Sequence, residues 1–177
     1  MELLIYPLDE VPKELSQAST ALEKATWPEA FETADGSPPV FPPKPKGSMA
    51  FFAMDNALVG YAEIFPRTIF TQSGPLQICG LGSVCVDASR RGGGIGRKVV
   101  EACFAEVNKK DNAISLFQTG VPGFYEKMNC REVDNQFTNS QNLEDPEKNP
   151  FWDDHVMIYP SEYPWPEGPI DLNGKGY

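Results

Sequence analysis

Val84-Cys85-Val86-Asp87-Ala88-Ser89-Arg90-Arg91-Gly92-Gly93-Gly94-Ile95-Gly96-Arg97 sets a strand, a basic glycine-rich turn and the start of a helix in immediate succession. Val84 and Val86 favour an extended chain, and the triple glycine follows almost at once. Amides at a helix N-terminus point outward with partial positive charge, and glycines let an anion approach the backbone with no Cβ in the way. The stretch reads as a cradle for a pyrophosphate, with Arg90, Arg91 or Arg97 placed to add charge-assisted bonds.

Downstream, Ile95, Val99, Cys103 and Val107 recur every four residues, widened by Val100 and Phe104, which predicts an amphipathic helix with Lys109 and Lys110 at its negative end. Ile114 to Phe117 reads as a short buried strand, Pro122 opens a brief helix through Phe124, Tyr125 and Met128, and Arg131–Thr138 and His155–Tyr159 complete the strands. Upstream, residues 2–7 form a strand, Lys13–Thr26 a helix with Leu15, Ala18, Leu22 and Ala25 on one face, and Glu29–Thr33 a short second helix. The prolines of Asp35–Lys46 predict a loop. Ser48–Met54 and Leu58–Phe70 read as a hairpin joined at Asp55-Asn56, and Leu76–Val86 as the strand that enters the glycine turn.

The 177 residues, 41% hydrophobic and 23% charged, suit one globular domain spanning 1–177, with 160–177 as a proline-rich C-terminal arm that can be neither helix nor central strand. Nothing resembles a membrane span or a secretory signal, so a soluble, unprocessed, cytoplasmic protein is expected. Fifteen Lys and Arg against 25 Asp and Glu give a net charge of -10, which disfavours nucleic acid and anionic membranes and favours a cationic ligand. Cys79, Cys85, Cys103 and Cys130 lack any CxxC pair and read as reduced core thiols. With His155 as the only histidine, no His-rich metal site is expected, and the arm leaves room for a homodimer.

Several anion sites share the cradle's logic. A Walker loop fails because no Gly-Lys-Ser/Thr follows, and a dinucleotide fingerprint fails at Arg97 or Val99, according to where counting starts. The spacing Arg91-x-x-Gly94-x-Gly96 instead resembles motif A of the GCN5-related N-acetyltransferase family, and Gly123-Phe124-Tyr125-Glu126-Lys127-Met128-Asn129-Cys130 is similar to that family's Phe-Tyr-Glu-x-x-Gly-Phe segment. Asn129 replaces the glycine as the residue that best tolerates a left-handed cap.

The resemblance implies an α/β protein with a splayed mixed sheet of about seven strands flanked by helices, and direct transfer of acetyl from acetyl-CoA to a primary amine. It implies that Val84, Cys85 and Val86 pair with pantetheine, that Arg91, Gly92, Gly93, Gly94, Ile95, Gly96 and Arg97 hold the pyrophosphate, and that Tyr125 is the acid. The family's strand glutamate is missing, Gly80 and Gly82 standing in that strand instead. The base is therefore open among Glu63, Asp87, Asp153, Asp154 and a water chain. The ending Gly168–Tyr177 is distantly similar to that of aminoglycoside 2'-N-acetyltransferases, which implies substrate contacts at Asp171 and Tyr177. Aromatic Trp152, Tyr163, Trp165 and Tyr177 among acidic residues suit either a cationic ligand or a cover for the core. The contrasting expectation is a non-catalytic acyl-CoA-binding module.

Overall fold

The computed structural model describes residues 1–32, 43–111 and 113–177. They form two compact units, the first of residues 1–65 and 82–103, the second of residues 66–81 and 104–177. Positions 33–42, which hold most of the proline loop and the end of the short second helix, lie outside the described residues.

In the first unit, β1 (Glu2–Pro7) pairs antiparallel with β2 (Met49–Asp55), from Glu2 opposite Met54 to Pro7 opposite Met49. β2 pairs antiparallel with β3 (Ala57–Thr71), whose residues 57–65 belong here, and the last part of β4 (Gly74–Val86) lies beside β3. Asn56, at φ 62°, makes the left-handed turn between β2 and β3. Ala50–Ala53 and Val59–Phe65 are buried without interruption, the pattern of strands covered on both faces.

Two helices supply that cover. On one face, α1 (Lys13–Thr26) brings Leu15 and Leu22 onto Phe52, Tyr61 and Cys85, with Trp27 beside them. On the other runs α2 (Ile95–Val107), and the strand meets it at Gly60, where a Cβ would come within 2.8 Å of Ile95 and 3.5 Å of Val99. A glycine in a strand interior is explained by that close approach. The short helix expected after α1 is a 3-10 turn, Pro28–Phe31.

In the second unit, β5 (Ser115–Thr119) pairs antiparallel along its whole length with β8 (His155–Tyr159), and with β4 in a parallel ladder two pairs long, Cys79–Ser115 and Gly80–Leu116. Ile69, Ile78, Leu116, Phe137, Ile158, Ile170 and Leu172 lie in its core. Beyond α2, Phe104 stacks face to face on Tyr159 with ring centroids 3.8 Å apart.

Two expectations need correction here. Arg131–Thr138 is not one strand but two, β6 (Arg131–Glu132) on β8 and β7 (Phe137–Thr138). Asn135 interrupts it by turning its amide onto the arm, donating to the carbonyls of Pro166 and Gly168 and accepting from the Trp165 indole. The arm itself contains a strand, β9 (Ile170–Asp171), parallel to β7 and antiparallel to β3 at Phe70. The last proline is Pro169, so the amides beyond it are free to join a ladder, and Ile170 and Leu172 are fully buried. The strands among the described residues number nine, β7 and β9 being two residues each.

Candidate active site

The turn after β4 has the geometry its glycines require. Asp87 accepts the amide and hydroxyl of Ser89, at 2.9 and 2.5 Å, and so caps the 3-10 turn Ala88–Arg90. Those hydrogen bonds hold its carboxyl below the ordinary aspartate range. A carboxylate so engaged is a poor proton acceptor.

Gly92 and Gly94 take φ of 80° and 76°, and a Cβ at either would meet no atom within 4 Å. The peptide edges there face open surface, and only glycine follows the path without strain. Gly94 O accepts from the amide of Lys98 at 3.1 Å, so the amides of Ile95, Gly96 and Arg97 fall in the first turn, where a helix offers them no carbonyl.

The three arginines are held differently. Arg90 pairs with the Asp55 carboxylate, and Arg97 Nε donates to Glu101 Oε1 at 2.7 Å, one helical turn on. Arg91 Nε reaches the Val86 carbonyl at 3.2 Å. Val84 and Val86 are half-buried, whereas the Cys85 side chain is buried among Tyr61, Phe52 and Leu22, and burial pushes its thiol up to about 12.

On the α1 face of the same unit lies an acidic group. Tyr61, Glu63 and Phe65 share one face of β3, because strand side chains alternate. Glu63 is only 7% exposed. The Tyr61 hydroxyl donates to its Oε1 at 2.5 Å, and Lys44 Nζ stands 3.1 Å from its Oε2 as an ion pair outside hydrogen-bond geometry. The same ammonium lies 4.5 Å from the centroid of the Phe65 ring.

Burial and then the Glu63 charge raise the Tyr61 phenol far above its usual range, so it stays a donor. Glu23, from α1, is raised above the usual glutamate range by burial, against a hydrogen bond from Ser83 and with a further push from Glu63. Ser83 holds a left-handed φ of 55° inside β4, a conformation rare for a residue with a side chain.

The second unit places the other candidates. Tyr125 is buried in α3 (Pro122–Glu126), 4.6 Å from the Phe117 ring and 4.9 Å from that of Phe124. Asn129 has φ 62° just past this helix, the conformation expected of it. Asp153 is raised by burial and by Asp154, and its amide is held by Gln118 Oε1 at 2.8 Å.

Asp171 accepts the amides of Ser140 and Asn173, at 3.0 and 2.8 Å, and these bonds outweigh burial to keep its carboxyl low. The Tyr177 hydroxyl donates to Leu116 O at 2.9 Å, its ring packs on Phe151, and Arg67 lies over it at 4.9 Å. Tyr163, Trp165 and Tyr177 pack against the core, while Trp152 is 71% exposed.

Sequence reading names Glu63 but misses Glu23, Tyr61, Ser83 and Lys44 as its surroundings. One signal was available: a single acid in the apolar run Val59–Phe65, with tyrosine and phenylalanine two residues to either side.

Residues 46–129 match an acetyltransferase (GNAT) domain family. Among solved structures, Escherichia coli ElaA is similar with a TM-score of 0.59 and 15% identity, over 89% of this chain and 97% of that one. The GNAT family N-acetyltransferase YhbS of Escherichia coli, solved in complex with CoA, gives 0.57 and 17% over 97% and 90% of the two chains. An aminoglycoside 6'-N-acetyltransferase complexed with coenzyme A gives 0.56 and 19% over 93% and 99%. No curated protein matches the chain. With its glycine turn set between β4 and α2, the chain matches the acetyltransferase (GNAT) domain family over residues 46–129 and shares the fold of these N-acetyltransferase structures.

Proposed function

We propose that residues 1–177 work as one acetyl-CoA-dependent N-acetyltransferase domain, which moves an acetyl group onto the primary amine of a small cationic molecule by direct attack. The observation that carries this reading is the open arc of amides from Gly92 to Arg97, where two left-handed glycines leave the backbone bare for a pyrophosphate. Arg91 supplies the added positive charge, because Arg90 and Arg97 already have carboxylate partners. Val84, Cys85 and Val86 offer the backbone edge for pantetheine. Coenzyme A in two of the similar structures supports this assignment.

Glu63 takes the proton of the acceptor ammonium. Tyr61 fixes one carboxylate oxygen and leaves the other for the amine. The freed nitrogen attacks the thioester carbonyl carbon, the carbon–sulfur bond breaks, and Tyr125 gives its proton to the departing thiolate. The second proton shed by the nitrogen restores the Tyr125 phenol, while Glu63 passes the first to water. Asp171 and Tyr177 take no part in this proposal, because their polar atoms already hold the arm. The net charge of -10 favours a cationic acceptor, and one similar protein is an aminoglycoside acetyltransferase. The four cysteines are free and buried, which fits a reducing compartment such as the cytoplasm.

Thiol release from acetyl-CoA in the presence of a panel of primary amines tests the reading. Release that depends on an amine is the expected result. Coenzyme binding with no release for any amine would favour an acyl-CoA-binding module, a reading motivated by the absence of an acid from β4.

A further inference from the structure

Buried carboxylates are costly unless a partner of opposite charge answers them. A purely structural answer to Glu63 would come from a buried arginine clamped on both oxygens. Its actual partner is Lys44, reached from the short stretch before β2, with a side chain still 33% exposed. That ammonium can leave for water without breaking any secondary structure.

The surroundings are built for an ammonium rather than for Lys44 in particular. Glu63 Oε2 is buried and has no hydrogen-bond donor among the described residues, while Tyr61 holds Oε1 from its own strand. The Phe65 ring offers its face to the same charge, and aromatic faces attract ammonium groups. Glu23, on the helix that covers this face, adds a second negative charge that acts on Glu63. Two carboxyls, one aromatic face and one removable cation leave the group short of positive charge whenever Lys44 departs.

Resting on the acetyltransferase reading above, we infer that Glu63, Glu23 and Phe65 form the recognition subsite for the acceptor, a primary ammonium on an unbranched alkyl chain, and that Lys44 fills it as an internal competitor. The acceptor's amine takes the position of Lys44 Nζ, next to the carboxylate that will receive its proton. An unbranched chain is expected because the lysine side chain now there is one. Such an ammonium occurs in free aliphatic diamines and in lysine side chains.

Calorimetry without acetyl-CoA tests this, using cadaverine and Nα-acetyl-lysine methyl ester as probes on wild type, Lys44→Ala, Lys44→Gln and Lys44→Ala/Glu63→Gln proteins. A competitor present about nine-tenths of the time lowers apparent affinity roughly tenfold. Lys44→Ala and Lys44→Gln should therefore bind at least one probe about tenfold more tightly than wild type, and the double variant should lose that gain. The probe that gains more identifies the source, free diamine or lysine side chain. Unchanged or weaker binding by both single variants, with wild-type circular dichroism, overturns the subsite. So does a gain that survives Glu63→Gln.

Acetyl-CoA binding and thiol release measured on the same proteins separate the two ideas. Thiol release with no gain from removing Lys44 sinks the subsite and leaves the enzyme. A Glu63-dependent gain in a protein that does not bind acetyl-CoA supports the subsite and sinks the acetyltransferase reading.

Discussion

At the scale of single residues, two side chains separate binding from proton transfer. Among the described residues Arg91 has one bond, to a backbone carbonyl, so Arg91→Ala costs the fold little and the ligand much. Acetyl-CoA should bind more weakly by about 1.5–3 kcal/mol, the worth of one charge-assisted contact, while S-acetylpantetheine, which lacks the pyrophosphate, should lose far less. Calorimetry with both ligands checks this, and equal losses would remove Arg91 from the pyrophosphate. Tyr125→Phe keeps the ring that packs on Phe117 and removes the hydroxyl, so turnover should fall while acetyl-CoA affinity holds. Turnover at the wild-type rate across pH would take Tyr125 out of the reaction.

Glu23 makes a stability prediction with a defined sign. Its folded pKa lies above the ordinary value of 4.5, so the folded state favours the protonated acid. That preference is fully present below the unfolded pKa and is lost as pH rises through the folded one. Glu23→Gln should thus raise the urea midpoint at pH 7, with a smaller gain at pH 4. A larger gain at pH 4 would contradict the burial assigned to Glu23.

At the scale of elements, local rules carry a long way. The left-handed Asn56 between β2 and β3, the apolar stripe of α2 and the glycines at 92 and 94 are all legible from nearest neighbours, because short-range sterics and helical spacing fix them. Gly60 is different, since nothing near it in sequence calls for glycine. Its reason is α2, whose Ile95 would stand 2.8 Å from a Cβ. Both Ile95 and Val99 are β-branched and yield poorly, so Gly60→Ala should destabilise the protein by about 1–3 kcal/mol in denaturant titration. A neutral result would mean that helix and strand can part at this point.

At the scale of the whole molecule, the two units share three elements, because β3, β4 and α2 each contribute residues to both. The second unit depends on the end of the chain. Proline removes amide donors, so the arm cannot hold itself by a continuous ladder. Arg131 instead donates to the carbonyls of Ser161 and Tyr163, Asn135 to those of Pro166 and Gly168, and Arg67 to those of Leu172 and Lys175. A chain ending at Ser161 would keep the Arg131 bond to Ser161 but lose all the others, together with the buried Ile170 and Leu172. It should bind a hydrophobic dye and lose cooperative unfolding in the second unit; a wild-type melting curve would refute the structural role of the arm.

Composition, charge, the strand–glycine–helix turn and most elements were determined by sequence alone, because each follows from chain stereochemistry or from a repeat only a few residues long. The acidic group was decided by the tertiary structure. Glu23, Lys44, Glu63 and Ser83 are scattered over four segments, and no spacing rule brings them together. What joins them is β2 and β3 pairing in register, α1 lying across that sheet face, and a left-handed turn of the backbone at Ser83. The same holds for Asp171 and Tyr177, whose chemistry suggests a ligand until the fold shows which backbone groups they hold. A polar side chain's role depends on the partner that reaches it, and long-range packing chooses that partner.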